Sequence, residues 1–316
     1  MRIPGNQGNG IKPEIIVVGS INMDLVVYVD RHPAPGETLL GSDYWTFPGG
    51  KGANQAVAAA RAGGLVRMIG CLGRDAFGDQ LLEGLAQEQI DTRWVKRVDG
   101  PTGVAFIAVN TEGQNSIIVS PGSNYRLLPE DLKPEAFLNT RVVLLQLEIP
   151  LATVREATRL GKEAGATVIL NAAPAQTLSA DVLRNVDLLI VNEFEAGTLL
   201  KRKPPRGIEE ALDAALQLRG WVSSVVVTLG EKGCVWVDEL EHGYLPAFEV
   251  KAIDTTAAGD AFVGMLASQL ARGTALSMAL RWANAAGALA TMKKGAQSSL
   301  PTQEEVKHFL DVHSQR

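Results

Sequence analysis

Cysteine is nearly absent: Cys71 and Cys234 are the only two in 316 residues. Two thiols cannot make a disulfide framework. Each lies in an apolar, strand-like stretch, so buried free thiols in a reducing cytoplasm are expected. Histidine is scarce too, and His32, His242, His308 and His313 never fall in H-x-x-x-H spacing, which removes a histidine-based zinc centre. No apolar run approaches the roughly 18 residues that a membrane span needs. The chain has no G-x-x-x-x-G-K-[ST] loop, no G-x-G-x-x-G after a strand and no G-x-S-x-G elbow. Walker-type nucleotide binding, dinucleotide binding and serine-hydrolase chemistry therefore have no support. Positive charge is also in deficit, 30 Lys and Arg against 35 Asp and Glu, a net charge of −5. With no basic stripe to offset it, nucleic acid is not expected as a partner. The one basic run, Lys201-Arg202-Lys203-Pro204-Pro205-Arg206, reads as a solvated loop.

What is present is a regular alternation of strand and helix. Residues 1–13, rich in Gly and Asn, read as a flexible tail. Ile15–Val18 is a short continuous apolar run, the mark of a buried parallel strand. Val66–Ile69, Val142–Leu147, Val168–Leu170, Leu188–Val191 and Val225–Thr228 repeat it. Helical patterns over Asp75–Gln87, Leu151–Ala164, Glu193–Leu200 and Ile208–Leu218 lie between them. This repetition predicts an α/β fold, a doubly wound, mostly parallel sheet with helices on both faces. Four segments alternate like antiparallel strands instead: Leu25–Val29, Glu37–Trp45, Val104–Val109 and Ser116–Val119. They predict a small antiparallel β lid, at about 25–47 and 99–119, on a single domain over 14–316. Ligands in doubly wound folds sit beyond the carboxyl ends of the strands. That rule selects Asn22, Asp24, Glu148, Asn171, Asn192, Gly230 and Asp254 to Asp260, a set more polar and acidic than a core requires.

Val250 to Gly264 is the stretch that organises the rest. Val250–Ile253 alternates like the end of a strand, small residues follow, and a helical run opens at Asp260. Strand, tight turn and helix start make an anion site, because the first N–H groups of a helix lack intrahelical partners and face the positive dipole end. The small side chains of Ala257, Ala258 and Gly259 let a phosphate approach. Asp260 in the first turn can be a plain cap. Beside a transferring phosphoryl group it can also take a proton from an attacking hydroxyl. Asp254 can hold a cation or brace the turn.

Other motifs admit a structural and a chemical reading. Pro48-Gly49-Gly50-Lys51-Gly52-Ala53-Asn54-Gln55 permits unusual dihedrals and close backbone approach, or is simply a turn before a helix. Asn22 and Asp24 can both face one ligand, as adjacent sugar hydroxyls require, or can form an Asx-turn. Asn192 and Glu195, three apart at a helix start, suit a capping box or Mg²⁺ bound mostly through water. Thr228-Leu229-Gly230-Glu231-Lys232-Gly233 is a hairpin turn or a phosphate loop. Lys293 to Ser299 closes a helix from Leu276, whose free carbonyls suit a cation.

Together, Asp254-Thr255-Thr256-Ala257-Ala258-Gly259-Asp260 and Gly49-Gly50-Lys51-Gly52-Ala53-Asn54 resemble the two signatures of the PfkB, or ribokinase-like, family of carbohydrate kinases. The resemblance runs from about Ile15 to Pro301. It implies phosphoryl transfer from ATP to a sugar hydroxyl, with Asp260 as base and the Ala257, Ala258 and Gly259 amides around the phosphate. The sugar would be held by Asn22, Met23, Asp24, Gly50, Lys51, Gly52, Ala53, Asn54, Glu148 and Asp260. The nucleotide would lie along Asn192, Thr228, Leu229, Gly230, Glu231, Lys232, Gly233, Gly259, Asp260 and Asn284. Mg²⁺ would sit near Asn192 and Glu195. A monovalent cation, K⁺, would sit among Asp254, Thr256, Ala290, Lys293, Gly295 and Ser299. Asn22-Met23-Asp24, Gly50 to Asn54, Gln146-Leu147-Glu148 and Asn171-Ala172-Ala173-Pro174 lean toward the members that phosphorylate the 5-hydroxyl of D-ribose. A kinase for 2-deoxyribose or a nucleoside, and a sugar-binding regulator without catalysis, are the alternatives. The exposed sheet face of the lid suggests a homodimer joined through it, as in similar proteins. Ala258 stands where many members carry glycine, and a positive φ there would cost energy. Pro121-Gly122-Ser123-Asn124 stands in place of a more usual Gly-Ala-Asn.

Overall fold

Alternate residues of the first strand belong to two different cores. In the computed structural model, which describes residues 14–313, Ile15 and Val17 face one cluster and Ile16 and Val18 the other. A strand with both faces covered must be apolar on both, which is why its sequence reads as a run rather than an alternation. The expected tail at 1–13 lies outside the described residues.

In chain order, β1 (Glu14–Val18) leads into β2 (Asn22–Tyr28) and β3 (Trp45–Gly49), then α1 (Lys51–Arg61), β4 (Leu65–Gly73), α2 (Ala76–Gln87) and β5 (Asp91–Val98). Next come β6 (Gly103–Val109), β7 (Asn115–Ser120), β8 (Val142–Leu145), α3 (Leu151–Glu163), β9 (Thr167–Asn171) and α4 (Ala180–Leu183). The chain continues through β10 (Leu188–Asn192), α5 (Glu193–Leu199), α6 (Ile208–Leu218), β11 (Ser224–Thr228), β12 (Cys234–Val237) and β13 (His242–Leu245). It closes with α7 (Ala258–Ala271), α8 (Leu276–Thr291) and α9 (Gln303–His313).

The main sheet has nine strands in the order β13-β12-β11-β10-β9-β8-β1-β4-β5, and only the pairings of β12 are antiparallel. Helices α1, α7, α8 and α9 cover one face, and α3, α5 and α6 the other. The winding reverses at β1, between β8 and β4. Such a switch point opens a crevice at the carboxyl ends of its strands. A separate four-stranded sheet, β3-β2-β6-β7, grows out of the crevice because β1 runs into β2 after three residues, Gly19 to Ile21.

Three expectations are corrected. Glu37–Tyr44 is not a strand. Pro33 and Pro35 remove two donors, and Ser42 N–H to the Tyr28 carbonyl, 2.9 Å, is the one backbone bond tying this mostly exposed segment to β2. Val250–Ile253 is not a strand either. Pro246 stops β13, and the Ile253 and Asp254 N–H groups both donate to the Thr291 carbonyl at the end of α8, at 2.7 and 3.1 Å. The chain is therefore pinned to a helix rather than to the sheet. Asn22 to Asp24, expected as turn, already belong to β2. Strands β5, β12 and β13 went unpredicted. Of these, β5 and β13 are edge strands of mixed polarity, which lack the apolar run of buried ones, whereas β12 is the short, buried apolar stretch around Cys234.

Candidate active site

The small-residue turn delivers what its composition implies. Ala257 caps α7 with φ −111°, and the first helical bond runs from Ala261 N–H to the Ala257 carbonyl, 2.9 Å. The Ala258 N–H is turned back onto the Thr255 carbonyl at 3.3 Å, which leaves the Gly259 and Asp260 N–H groups as the free donors of the helix start. Ala258 adopts no positive φ, so alanine costs nothing there. A Cβ built on Gly259 meets no atom within 4 Å. Packing does not demand glycine at this position; it leaves space open in front of the donors. Asp254 braces the turn. One carboxylate oxygen accepts from Thr256 N–H at 3.0 Å and Thr256 Oγ1 at 2.5 Å, the other from Gly295 N–H at 2.8 Å. Burial would raise its pKa, but these bonds prevail and hold it below the usual range.

Asp260 does not cap its own helix. Its carboxylate turns to α1, where Asn54 Nδ2 donates to Oδ2 and Gln55 Nε2 to Oδ1, each at 2.9 Å. Residues more than 200 apart can meet because α1 and α7 touch backbone to backbone. A Cβ on Gly264 would sit 2.4 Å from the Ala58 Cβ. Burial pushes the Asp260 pKa up, against the Lys51 ammonium and the two amides. The Lys51 pKa is raised as well. Burial works to lower it, but Asp260, Glu148 and Glu195 together raise it.

On the lid side, Asn22 and Asp24 share a face of β2, whereas Met23 points into the core and is fully buried, so its side chain does not reach the site. Ala53 is likewise core. Gly50 has φ 86°, and a Cβ there would strike Asn22 N at 2.7 Å. Gly49 makes room for Asp24, whose carboxylate oxygen lies 2.2 Å from where a Cβ would be. Glu148, just past β8, accepts from Ser20 Oγ at 2.5 Å and Lys51 N–H at 3.0 Å. Asp24 is the third acid of this pocket. Burial pushes its pKa from 3.8 to about 7, with Glu148 and Asp260 adding to the rise.

The nucleotide side is looser. Asn192 and Glu195 form a reciprocal capping box on α5, Glu195 N–H to Asn192 Oδ1 at 2.9 Å and Asn192 N–H to Glu195 Oε2 at 2.8 Å. One Glu195 oxygen is left over for a water. Thr228 to Gly233 is the hairpin between β11 and β12, with Gly230 at φ 56° and Gly233 at φ 97°. Asn284 donates to the Leu245 and Pro246 carbonyls at 3.5 and 3.3 Å, the segment that packs against Gly233 at the end of that loop. Lys293 pairs with Glu305 through its side chain, 2.8 Å, and Ser299 Oγ donates to the Ala296 carbonyl. Among the described residues nothing donates to the carbonyls of Lys293 and Gly295. Oxygens left open in this way beside the Asp254 carboxylate fit a monovalent cation.

Gln55 and Asn124 stand within motifs that assigned them no role, while Asn171 belongs to the strand-end set that the sequence selects. Gln55 and Asn171 tie Asp260 to β9, and Asn124 clamps the lid hinge. Asn124 Oδ1 accepts from Ile21 N–H at 2.9 Å, and its Nδ2 donates to Asn22 Oδ1 at 2.6 Å. Gln55 follows Asn54 directly and Asn124 ends the Pro-Gly-Ser-Asn loop, so position beside a motif was the available signal.

The raised Asp24 carboxyl has a stability consequence. From about pH 4 to 7 the folded protein keeps a proton that the unfolded chain releases, so this group's contribution becomes increasingly unfavourable as pH rises through that window. Asp24→Asn is expected to raise stability at pH 8 by roughly 1–4 kcal/mol, with the gain vanishing near pH 4. Thermal melts of both proteins across that range measure it, and a pH-independent difference would refute the assignment.

The model of the pfkB family carbohydrate kinases matches residues 12–303. A ribokinase of Haemophilus influenzae is 39% identical over 95% of this chain and 99% of its own. A deoxyribokinase of Salmonella typhi is 36% identical over 95% of this chain and 99% of its own. Among solved structures, the ribokinase of Arabidopsis thaliana, complexed with ribose and ATP, superposes with a TM-score of 0.89 at 32% identity, covering 95% and 99% of the two chains. The doubly wound sheet, the crevice at its switch point and the acid at the start of α7 thus come with a family: the chain belongs to the pfkB carbohydrate kinases.

Proposed function

We propose that this kinase transfers the γ-phosphoryl group of ATP to the 5-hydroxyl of D-ribose. The reading rests on the buried Asp260 carboxylate, gripped by two amides at a helix start whose next N–H groups are free. Asn22, Asp24, Asn54 and Glu148 bind the sugar hydroxyls. Asn54 Oδ1 supports this, being buried with no hydrogen-bond partner and so able to accept from a bound hydroxyl. Asp260 receives the 5-hydroxyl proton while that oxygen bonds to the γ-phosphorus and the bond to ADP breaks. A carboxylate raised above its ordinary pKa is a better base, provided it stays ionised. The Gly259 and Asp260 N–H groups stabilise charge on the transferring group, and lid closure keeps water out.

Mg²⁺, when bound, would neutralise phosphate charge, held through water by Asn192 and Glu195. K⁺ would lie among Asp254, the carbonyls of Thr256, Ala290, Lys293 and Gly295, and Ser299. Thr228 to Gly233 would run along the nucleotide phosphates. The chain's own contribution there is Asp254, which joins the anion turn to the loop after α8.

A kinase for 2-deoxyribose is the second reading, favoured by the nearly equal similarity to the Salmonella deoxyribokinase. A coupled ATPase assay over a panel of pentoses, with and without K⁺, tests the assignment. The highest kcat/KM is expected for ribose, and a preference for deoxyribose would replace the first reading by the second. Asp260→Asn should lower kcat by about 10²- to 10⁴-fold; near-normal turnover would remove Asp260 as base and with it the mechanism.

A homodimer through the lid belongs to the same proposal. Ile118 and Phe106, directly opposite one another on β7 and β6, lie 70% and 51% exposed on one face of the small sheet, an apolar pair of the kind that marks an interface. Sedimentation should show a dimer that Ile118→Asp converts to monomer; a wild-type monomer at micromolar concentration would end this part. Among the described residues no helix is long and apolar enough to cross a membrane. A cytoplasmic setting accords with two cysteines that are both buried and unpaired.

A further inference from the structure

Gln55 is fully buried on α1 and every polar atom of its side chain is used. Its Oε1 accepts from Gln146 Nε2 at 2.6 Å. Its Nε2 donates twice, to Asp260 Oδ1 at 2.9 Å and to Asn171 Oδ1 at 3.0 Å. Asn171 is itself oriented, since its Nδ2 donates to the Ile190 carbonyl at 3.3 Å. The amide of Gln55 can therefore lie only one way round. Flipped, it would set its oxygen against two acceptors and its nitrogen against the donor of Gln146, three repulsions in place of three bonds. Four side chains from α1, β9, the segment after β8 and α7 thus form one directed chain ending on the carboxylate.

We infer that Gln55 is a positioning residue for phosphoryl transfer: it fixes the plane of the Asp260 carboxylate and keeps Asp260 ionised until the sugar hydroxyl gives up its proton. The inference rests on Asp260 being the base, as proposed above. Asn54 alone cannot do this. A single donor to Oδ2 leaves the group free to turn about its bond to Cβ, whereas donors on both oxygens define the plane. The second bond also reaches beyond the site, to the central sheet through Asn171 and to the strand end through Gln146. The other charges facing Asp260 are Lys51 on α1, Glu148 beyond β8 and Asp24 on β2. Lys51 favours the ionised form and the two acids oppose it. An uncharged donor 2.9 Å away acts in a space shielded from solvent, where a bond to an ionised group is worth more than in water.

The test is Gln55→Met, close in length and without a donor. It is expected to lower kcat about 10- to 100-fold, to change the KM for the sugar less than about threefold, and to move the acid limb of the kcat pH profile up by about one unit. In an Asp260→Asn background the same change should cost almost nothing, because no carboxylate remains to be held. Gln146→Met removes the donor that orients Gln55 while leaving Gln55 in place. It should shift the limb in the same direction by a smaller amount, and it serves should Gln55→Met fail to fold. An unmoved acid limb in either folded variant, or additive losses in the double variant, would overturn the inference. Should Asp260→Asn itself keep normal turnover, the function proposed above fails first, and the two failures are distinguishable.

Discussion

Everything in this site hangs on the contact between α1 and α7. Two helices that cover one face of the sheet come close enough, through Gly264 against Ala58, for consecutive amides of one to grip an acid at the start of the other. The grip redirects Asp260. An aspartate in a helix's first turn is ordinarily consumed by backbone N–H groups; here it is drawn sideways, and the N–H groups beside it stay free. One displacement thus yields both a buried carboxylate turned away from its own helix and free N–H groups at the helix start, and neither would exist if Asp260 capped α7.

The second constraint is charge. Asp260, Glu148 and Glu195 act on one ammonium, Lys51, and Asp24 faces two of the same acids. Such an excess of acid is unfavourable in the folded protein, and the burial that raises Asp24 and Asp260 expresses that cost. Polar hydroxyls entering the pocket would supply Asp24 with donors. The site is therefore poised for a ligand rich in hydroxyl groups. Strain of this kind belongs to binding sites, where stability is exchanged for complementarity.

Much of the fold is legible in the sequence because buried parallel strands announce themselves as apolar runs. Both signatures are legible for a related reason: glycine and alanine in Gly49 to Ala53 and Ala257 to Gly259 stand where backbone must approach backbone or leave open space. The segments that misled did so where local pattern and tertiary pairing disagree. Val250–Ile253 alternates like a strand, but the donors of Ile253 and Asp254 are taken by the end of α8. Glu37–Tyr44 has strand-like residues but no partner to complete a ladder. Strand β5 escapes because an edge strand need not be apolar, and β12 because its apolar run is only four residues long, Cys234–Val237. The roles of Gln55 and Asn124 are illegible for another reason, and of Asn171 only the place at a strand end was legible. Their importance lies in what they touch across the fold, and nothing in a linear pattern distinguishes a buried amide in a network from one at rest in the core.

The geometry of the reacting atoms provides the most direct test. A crystal structure of the protein with ribose and a non-hydrolysable ATP analogue should place the 5-hydroxyl oxygen about 2.6–3.2 Å from an Asp260 carboxylate oxygen. The terminal phosphate should lie before the N–H groups of Gly259 and Asp260, and Asn54 and Gln55 should still donate to the same carboxylate. A sugar bound with that hydroxyl out of reach of Asp260, or an Asp260 released from both amides, would contradict the account.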